Sequence, residues 1–536
     1  MEDALTMTSK PDSLLAPNEE PTESQASVEP DPHSGAERLS LYLPRILQHR
    51  LLSDPTGRWW TAEGTAAFVD ISGFTKLSER LARKGREGSE QITEAIGNSF
   101  ESLLEVAYDN GASLLKFGGD ALLLWFQDPG HAGRACRAAV LMRRVLRTVG
   151  RIEVPGAKVT LRMSQGVHSG EFHFFAVGAS HVEFLPVGPA WSRVVMMEHE
   201  AGAGEILVSP DTARLLPSRC LDEAKSSGGR LLLREPLGNA EKIPLSPRPS
   251  LPKETLARCL SPAISAHVQN GGGTSEHRPV AIAFIHFAGV DALIERRGLQ
   301  ATAEALHDLV SVVQAATEEQ DVTFLGSDVD VDGGKLILTA GAPKVTGDDE
   351  ERMLLALRRI VDSKPPIPVR IGVHRGAVFA GDIGPFYRRT YTVMGDAVNL
   401  SARLMAKAEP GAIYATADIL ERSNTLFATT ELAPFVVKGK AQPVRAWSVG
   451  RAVGSRTRQV SVQQLALIGR DRELETLRTA LDDARAGTGR AVEIVGEAGL
   501  GKTRLLNALS DHATGFSRTT RGVRSLYGFN TVRALA

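Results

Sequence analysis

The chain repeats itself. RMSQGVHSGEF at 162–172 answers VRIGVHRGAVF at 369–379, which lays His168 over His374 and Gly170 over Gly376. Farther on, PVGPAWSRVVMMEHEAGAGEILVS (186–209) answers VMGDAVNLSARLMAKAEPGAIYAT (393–416), so Gly188 and Gly204 fall over Gly395 and Gly411. These anchors share an offset of 206 or 207 residues, and FVDISGF at 68–74 has a weaker echo in FIHFAGV at 284–290. Units of about 180 residues are much longer than solenoid repeats, so the pattern is a duplicated domain. Whatever one copy folds into, the other must approximate.

Within a copy, apolar runs rich in Val, Ile, Leu and Phe alternate with helical patterns. TAAFVDI reads as a strand, SEQITEAIGNSFESLLEVAYDNG as a helix, and ASLLKFGGDALLLWF as a hairpin turning at Phe117-Gly118-Gly119-Asp120. The class is α+β, a sheet covered by helices. Residues 1–38 are acidic and rich in Pro and Ser, with too little apolar content for a core, and are expected to be disordered. A helix starting at Leu39 opens the first domain (39–225), SSGGR, SPRPSLP and NGGGTSE mark a linker (226–278), and the second domain follows (279–450). A polar stretch (451–464) precedes a last segment, 465–536.

Bulk properties exclude several classes. A net charge of -1 gives no basic face for nucleic acid, and no apolar run reaches 18 residues, so no membrane span is expected. The N-terminus lacks the apolar stretch of a signal peptide, and three scattered cysteines fit a reducing compartment, so a cytoplasmic location is expected.

Two carboxylates in the first copy stand where chemistry can use them. Asp70 closes a strand and is followed by Ile71-Ser72-Gly73-Phe74, a small-residue turn before a helix whose free N–H groups suit phosphate. Asp120 sits in the hairpin turn. A pair of carboxylates at adjacent strand ends suits hard divalent cations. Taken singly, each is equally what a helix cap or a turn residue looks like.

Together, FVDISGFT and LLKFGGDALLLWF resemble the class III nucleotidyl cyclases, in particular the soluble, bicarbonate-responsive adenylyl cyclases and their bacterial relatives. The resemblance runs from about residue 39 to Trp447. It implies two tandem cyclase-homology domains in a pseudo-two-fold pair, acting on ATP to make cyclic AMP at one intramolecular site. It further implies two Mg²⁺ or Mn²⁺ ions held by Asp70, Asp120 and the Ile71 carbonyl, with Phe74 and Thr75 beside the substrate. In TYTVMGDAVNLSARLM of the second copy it assigns the transition state to Asn399 and Arg403, four apart and so on one helix face. Thr392 takes the adenine-reading position and Lys438 the terminal phosphates. For the adenine-contacting lysine, alignment puts Ser327 in place, and Lys335 is the nearest lysine on the hairpin. Bicarbonate is implied as a regulator through Lys116, although the arginine expected to accompany it falls on Val195.

Each copy lacks what the other keeps. His286 stands at the position of Asp70, and Ser192 and Met196 stand at those of Asn399 and Arg403. One composite site and one non-catalytic mirror site are expected. The alternative is a degenerate pair that binds nucleotide as a sensor for an ATPase region. In the last segment GEAGLGKT (496–503) fits the Walker A pattern between a strand and a helix, with Gly496, Gly501, Lys502 and Thr503 around phosphate. No apolar strand ending in an acidic residue follows, so this is read as an incomplete P-loop α/β fragment without ATPase activity.

Overall fold

The computed structural model describes residues 6–10, 35–73, 86–154, 157–236, 247–272, 275–435, 443–456, 469–486, 491–497, 505, 508–509, 520–526 and 529–535. The chain divides into two compact units, Pro30–Arg456 and a second one combining Met1–Glu29 with Thr457–Ala536.

In the large unit, helices α1 (Gly35–Leu41) and α2 (Arg45–Ser53) precede the first repeat. Then come β1 (Trp59–Ser72), α3 (Arg86–Asp109), the hairpin strands β2 (Ser113–Gly118) and β3 (Ala121–Phe126), and α4 (His131–Val149). They are followed by β4 (Arg162–Val177), β5 (Glu183–Pro186), α5 (Pro189–Glu200) and β6 (Ile206–Val208). The second repeat has β7 (Glu276–Ala288), α6 (Val290–Glu319), hairpin strands β8 (Thr323–Asp330) and β9 (Gly333–Ala340), and α7 (Asp349–Asp362). It continues with β10 (Val369–Ile383), β11 (Thr390–Met394), α8 (Asp396–Lys407) and β12 (Ile413–Ala415). Each repeat builds an eight-stranded sheet around β1 or β7. The central strand runs antiparallel to β3 (or β9) on one side and to β4 (or β10) on the other.

The register verifies the duplication. Ala66 pairs with His168 in the first sheet and Ile282 with His374 in the second, which lays Asp70 over His286. Side chains alternate along β1. Ala67, Val69 and Ile71 pack beneath the helices with Phe100, Leu103 and Ala139, whereas Ala66 and Phe68 join a cluster with Ile282 and Phe284 of β7. Both faces are therefore buried, which explains a near-continuous apolar run. By the same parity Asp70 lies on the face turned toward the other repeat.

The repeats also complete each other's cores. Phe379, Ile383 and Met394 of the second lie in the core of the first, and Phe175, Val177, Leu185 and Val187 of the first lie in the core of the second. Leu39 of α1, Leu47 and Leu51 of α2 and Leu43 of the turn between them belong to the shared cluster.

The segments expected to be linkers carry more structure than composition indicates. Arg230–Leu232 adds a strand to the first sheet, two short helices (Lys253–Ala257 and Pro262–Gln269) follow, and Trp447–Ser455 is a strand of the second sheet. The second helix is held by a hydrogen bond between His267 Nε2 and Asp382.

In the small unit, a helix (Asp471–Arg485) accompanies four strands in the order Thr6–Lys10, Ala491–Glu497, Phe529–Leu535, Thr520–Leu526, all antiparallel neighbours. Residues 6–10, expected to be disordered, thus supply an edge strand, and residues 35–38 belong to α1. That strand joins the sheet through backbone pairing, which a composition rule does not read.

Candidate active site

Two strand ends set the carboxylate half. Asp70 near the end of β1 faces Ala121 across one ladder and Ser164 across the other. The Ile71 N–H donates to the Asp120 carbonyl at 3.1 Å, which latches the hairpin turn to the end of β1. Gly119 supplies the turn with φ +71°, a left-handed conformation few other residues adopt. The Asp120 carboxyl is pushed up to about 7, first by burial and then by the charges of Asp70, Asp328 and Glu198. Glu198 is itself held by a hydrogen bond from Ser164 Oγ at 2.7 Å. Such crowding of like charge is what a divalent cation relieves, so Asp70 and Asp120 fit the ions the sequence implies. Among the described residues no cluster of three or more His, Cys, Asp or Glu forms a ready-made metal cage. Phe74 and Thr75 lie outside the described residues.

The second repeat places its own groups on β11 and α8. Thr392, buried opposite Gly381, lines an open cleft of about 140 Å³ together with Lys116, Gly119, Glu183, Ser327 and Arg388. The cleft therefore has walls from both repeats, and Gly119 of the wall is the neighbour of Asp120. Helix α8 lies hard on β10, because a Cβ on Gly372 would meet Met405 N at 2.0 Å and Ser401 O at 2.4 Å. Ser401 Oγ donates to Ile282 O at 3.0 Å, which fixes the helix rotation against β7. Leu400 and Leu404 are buried, and Asn399 and Arg403 are half-buried on the adjoining stripe. Arg403 forms no ion pair among the described residues. Lys438 lies outside them, as do Gly501, Lys502 and Thr503, while Gly496 falls within the strand Ala491–Glu497.

The mirror position is filled by the protein. His286 Nδ1 accepts from Arg370 Nε at 3.2 Å, and its Nε2 lies 3.5 Å from Asp330, which also binds Lys335 at 3.1 Å. Burial holds the His286 imidazole down to about 4, with Arg370 and Lys335 adding to the effect and Asp330 opposing it. Ser192 Oγ, at the position of Asn399, accepts from the Asp332 N–H at 2.8 Å. Lys335 belongs to this network, and it is not among the residues that line the cleft beside Thr392.

Lys116 is also engaged. Its Nζ donates to Glu183 Oε1 at 3.1 Å, Ser327 O at 3.0 Å and Ser327 Oγ at 2.5 Å. Glu183 was not apparent as a site residue from sequence. The signal in the sequence was a single charge within the apolar run Val182–Val187, and the structure buries the strand that holds it. Asp328, whose carboxylate would meet a Cβ on Gly118 at 3.0 Å, was missed because only tertiary packing brings the two hairpins together.

The adenylate and guanylate cyclase catalytic domain family matches residues 61–235 and again 274–450, and the AAA ATPase domain family matches 466–528. Human adenylate cyclase type 10 is 24% identical over 446 residues, covering 75% of this chain and 27% of that protein. The rabbit protein of the same name is 23% identical over 535 residues, 90% of this chain and 33% of that protein. The chain thus spans about a third or less of the length of these relatives. An uncharacterized protein of Mycobacterium tuberculosis is 32% identical over 178 residues, 32% of each chain. Among solved structures, a class III adenylyl cyclase-like ATP-binding protein from Pseudomonas aeruginosa aligns with TM-score 0.48 at 12% identity, over 68% of this chain and 85% of that one. The catalytic core of a rhodopsin-guanylyl cyclase with converted specificity, in complex with ATPalphaS, aligns with TM-score 0.30 at 21% identity, over 33% and 98%.

Proposed function

The chain belongs to the family of adenylate and guanylate cyclase catalytic domains, twice over, and from that premise we propose that it converts ATP to 3′,5′-cyclic AMP and pyrophosphate. The observation that carries the proposal is the division of labour. Asp70 and Asp120 come from the first repeat, Thr392, Asn399 and Arg403 from the second, and the mirror site is closed by its own His286–Asp330–Lys335 network.

The ribose 3′-oxygen attacks the α-phosphorus, the bond to the bridging oxygen breaks, and pyrophosphate and a proton leave. Asp70, Asp120 and the Ile71 carbonyl would hold Mg²⁺ or Mn²⁺. When bound, these ions would acidify the 3′-hydroxyl and offset the charge of the triphosphate. Arg403 spreads charge developing on the transferred phosphate, Asn399 orients the ribose oxygen, and Lys438 grips the terminal phosphates. Thr392, with one hydroxyl able to donate and accept, reads the adenine edge. Positioning and electrostatics supply the rate.

Purified chain is assayed with ATP or GTP and Mn²⁺ for cyclic product. Cyclic AMP is expected from ATP in preference to cyclic GMP from GTP. Asp70→Ala should lower the rate by at least about 10²-fold, the scale of losing a principal electrostatic group. Wild type without product, or a variant as active as wild type, refutes the assignment and leaves a nucleotide-binding sensor.

A further inference from the structure

Lys116 and Glu183 form a buried ion pair that joins the two hairpins, and the cyclase site is its neighbour. Both side chains are about nine-tenths buried, at 11% and 10% exposure. A β-bulge between Leu114 and Lys116 sets Lys116 opposite Leu123, whose cluster contains residues of both repeats. From there the ammonium crosses to Ser327 of the second repeat. A lysine ammonium has three N–H donors, and here all three are taken, by Glu183 Oε1, Ser327 O and Ser327 Oγ. Ser327 Oγ in turn donates to Glu183, which closes the triangle. One strand position on, Asp328 meets Gly118, so the bridge fixes the spacing between the turn that carries Asp120 and the hairpin opposite it. Lys116, Glu183 and Ser327 also share the cleft wall with Thr392.

We propose that Glu183 is a positioning residue that acts through Lys116 as a built-in anion. It neutralises the lysine and locks the interface of the composite site, so that no small oxyanion from solution is needed there. Removing the carboxylate leaves a buried ammonium with a free N–H and a carboxylate-sized void, which formate or bicarbonate fits. The bicarbonate dependence implied by sequence resemblance is therefore replaced in this chain by an internal carboxylate. This inference rests on the cyclase reading.

The test uses the full chain at fixed pH, with ionic strength held by chloride. Wild-type cyclic AMP formation should change less than about twofold with added bicarbonate. Glu183→Ala should lower kcat roughly tenfold to a hundredfold, the cost of slight misplacement of reacting groups, with KM for ATP changed less. Formate at tens of millimolar should restore it several-fold. A wild type strongly stimulated by bicarbonate, a fully active Glu183→Ala, or a folded, weakened Glu183→Ala that ignores formate each overturns the proposal. Should Glu183→Ala not fold, a cycle of Lys116→Gln, Glu183→Gln and the double variant decides. The double variant should lose no more than the worse single one, and multiplicative losses refute the bridge. Should wild type make no cyclic nucleotide, the cyclase reading fails by itself. The same cycle is then read on binding of a fluorescent ATP analogue, where coupling supports the bridge and multiplicative losses refute it.

Discussion

His168 and His374 carry the duplication at the scale of single residues. Each stands on the strand beside the central one, and each Nδ1 pairs with a hydroxyl, Ser209 Oγ at 2.8 Å and Thr416 Oγ1 at 2.7 Å. Burial holds the His168 imidazole down to about 4, with Asp211 opposing the shift and Arg193 reinforcing it. In the unfolded chain the ring titrates near 6.5. Between pH 6.5 and about 4 the unfolded state therefore takes up a proton that the folded state refuses. Stability due to His168 is complete above pH 6.5 and falls as pH drops through that window, by about 1.4 kcal/mol per pH unit. The melting temperature of His168→Gln should accordingly depend less steeply on pH across this range than that of wild type. Parallel curves would contradict the assignment, since other groups titrate equally in both proteins.

At the scale of elements, close contact between helix and strand directs the side chains proposed for the transition state. Gly166 and Gly372 occupy matching positions, and a Cβ on either would strike the backbone of the overlying helix within about 2.3 Å. Backbone cannot rotate away as a side chain can, so Gly372→Ala must lift α8 off β10. Overpacking of this kind costs typically 1–3 kcal/mol. Because α8 carries Asn399 and Arg403, the variant should lose cyclase rate by more than tenfold at a temperature where circular dichroism shows it folded. Retention of full rate in the folded variant would mean that the helix position is not critical.

For the whole molecule, the exchange of core residues makes the repeats interdependent. Phe379, Ile383 and Met394 fill the first core, and Phe175, Val177, Leu185 and Val187 fill the second. A fully buried Phe or Leu contributes about 1.5–3 kcal/mol, so several such losses exceed the margin of a typical domain. A fragment of residues 30–272 expressed alone should be insoluble or unfolded, and co-expression with 275–456 should recover a soluble pair with cyclase activity. An independently folded, monomeric first fragment would disprove this interdependence.

The sequence by itself determined the duplication, the α+β class and the identity of Asp70, Asp120, Thr392, Asn399 and Arg403 as candidates. The duplication, the class and the two carboxylates depend on local periodicity, turn chemistry and the comparison of one copy with the other, which are readable along the chain, whereas Thr392, Asn399 and Arg403 were candidates through the resemblance to the class III nucleotidyl cyclases. It failed where function depends on contacts among distant segments. Glu183, Lys116 and Ser327 come from three strands in two repeats, and no local pattern encodes their triangle. Lys335 was ambiguous for the same reason, because packing against Asp330 and His286 decides which way a lysine on a hairpin is drawn. Residue type and spacing select the chemistry available, whereas burial and the pairing of charges across the repeat interface select which groups are left to use it.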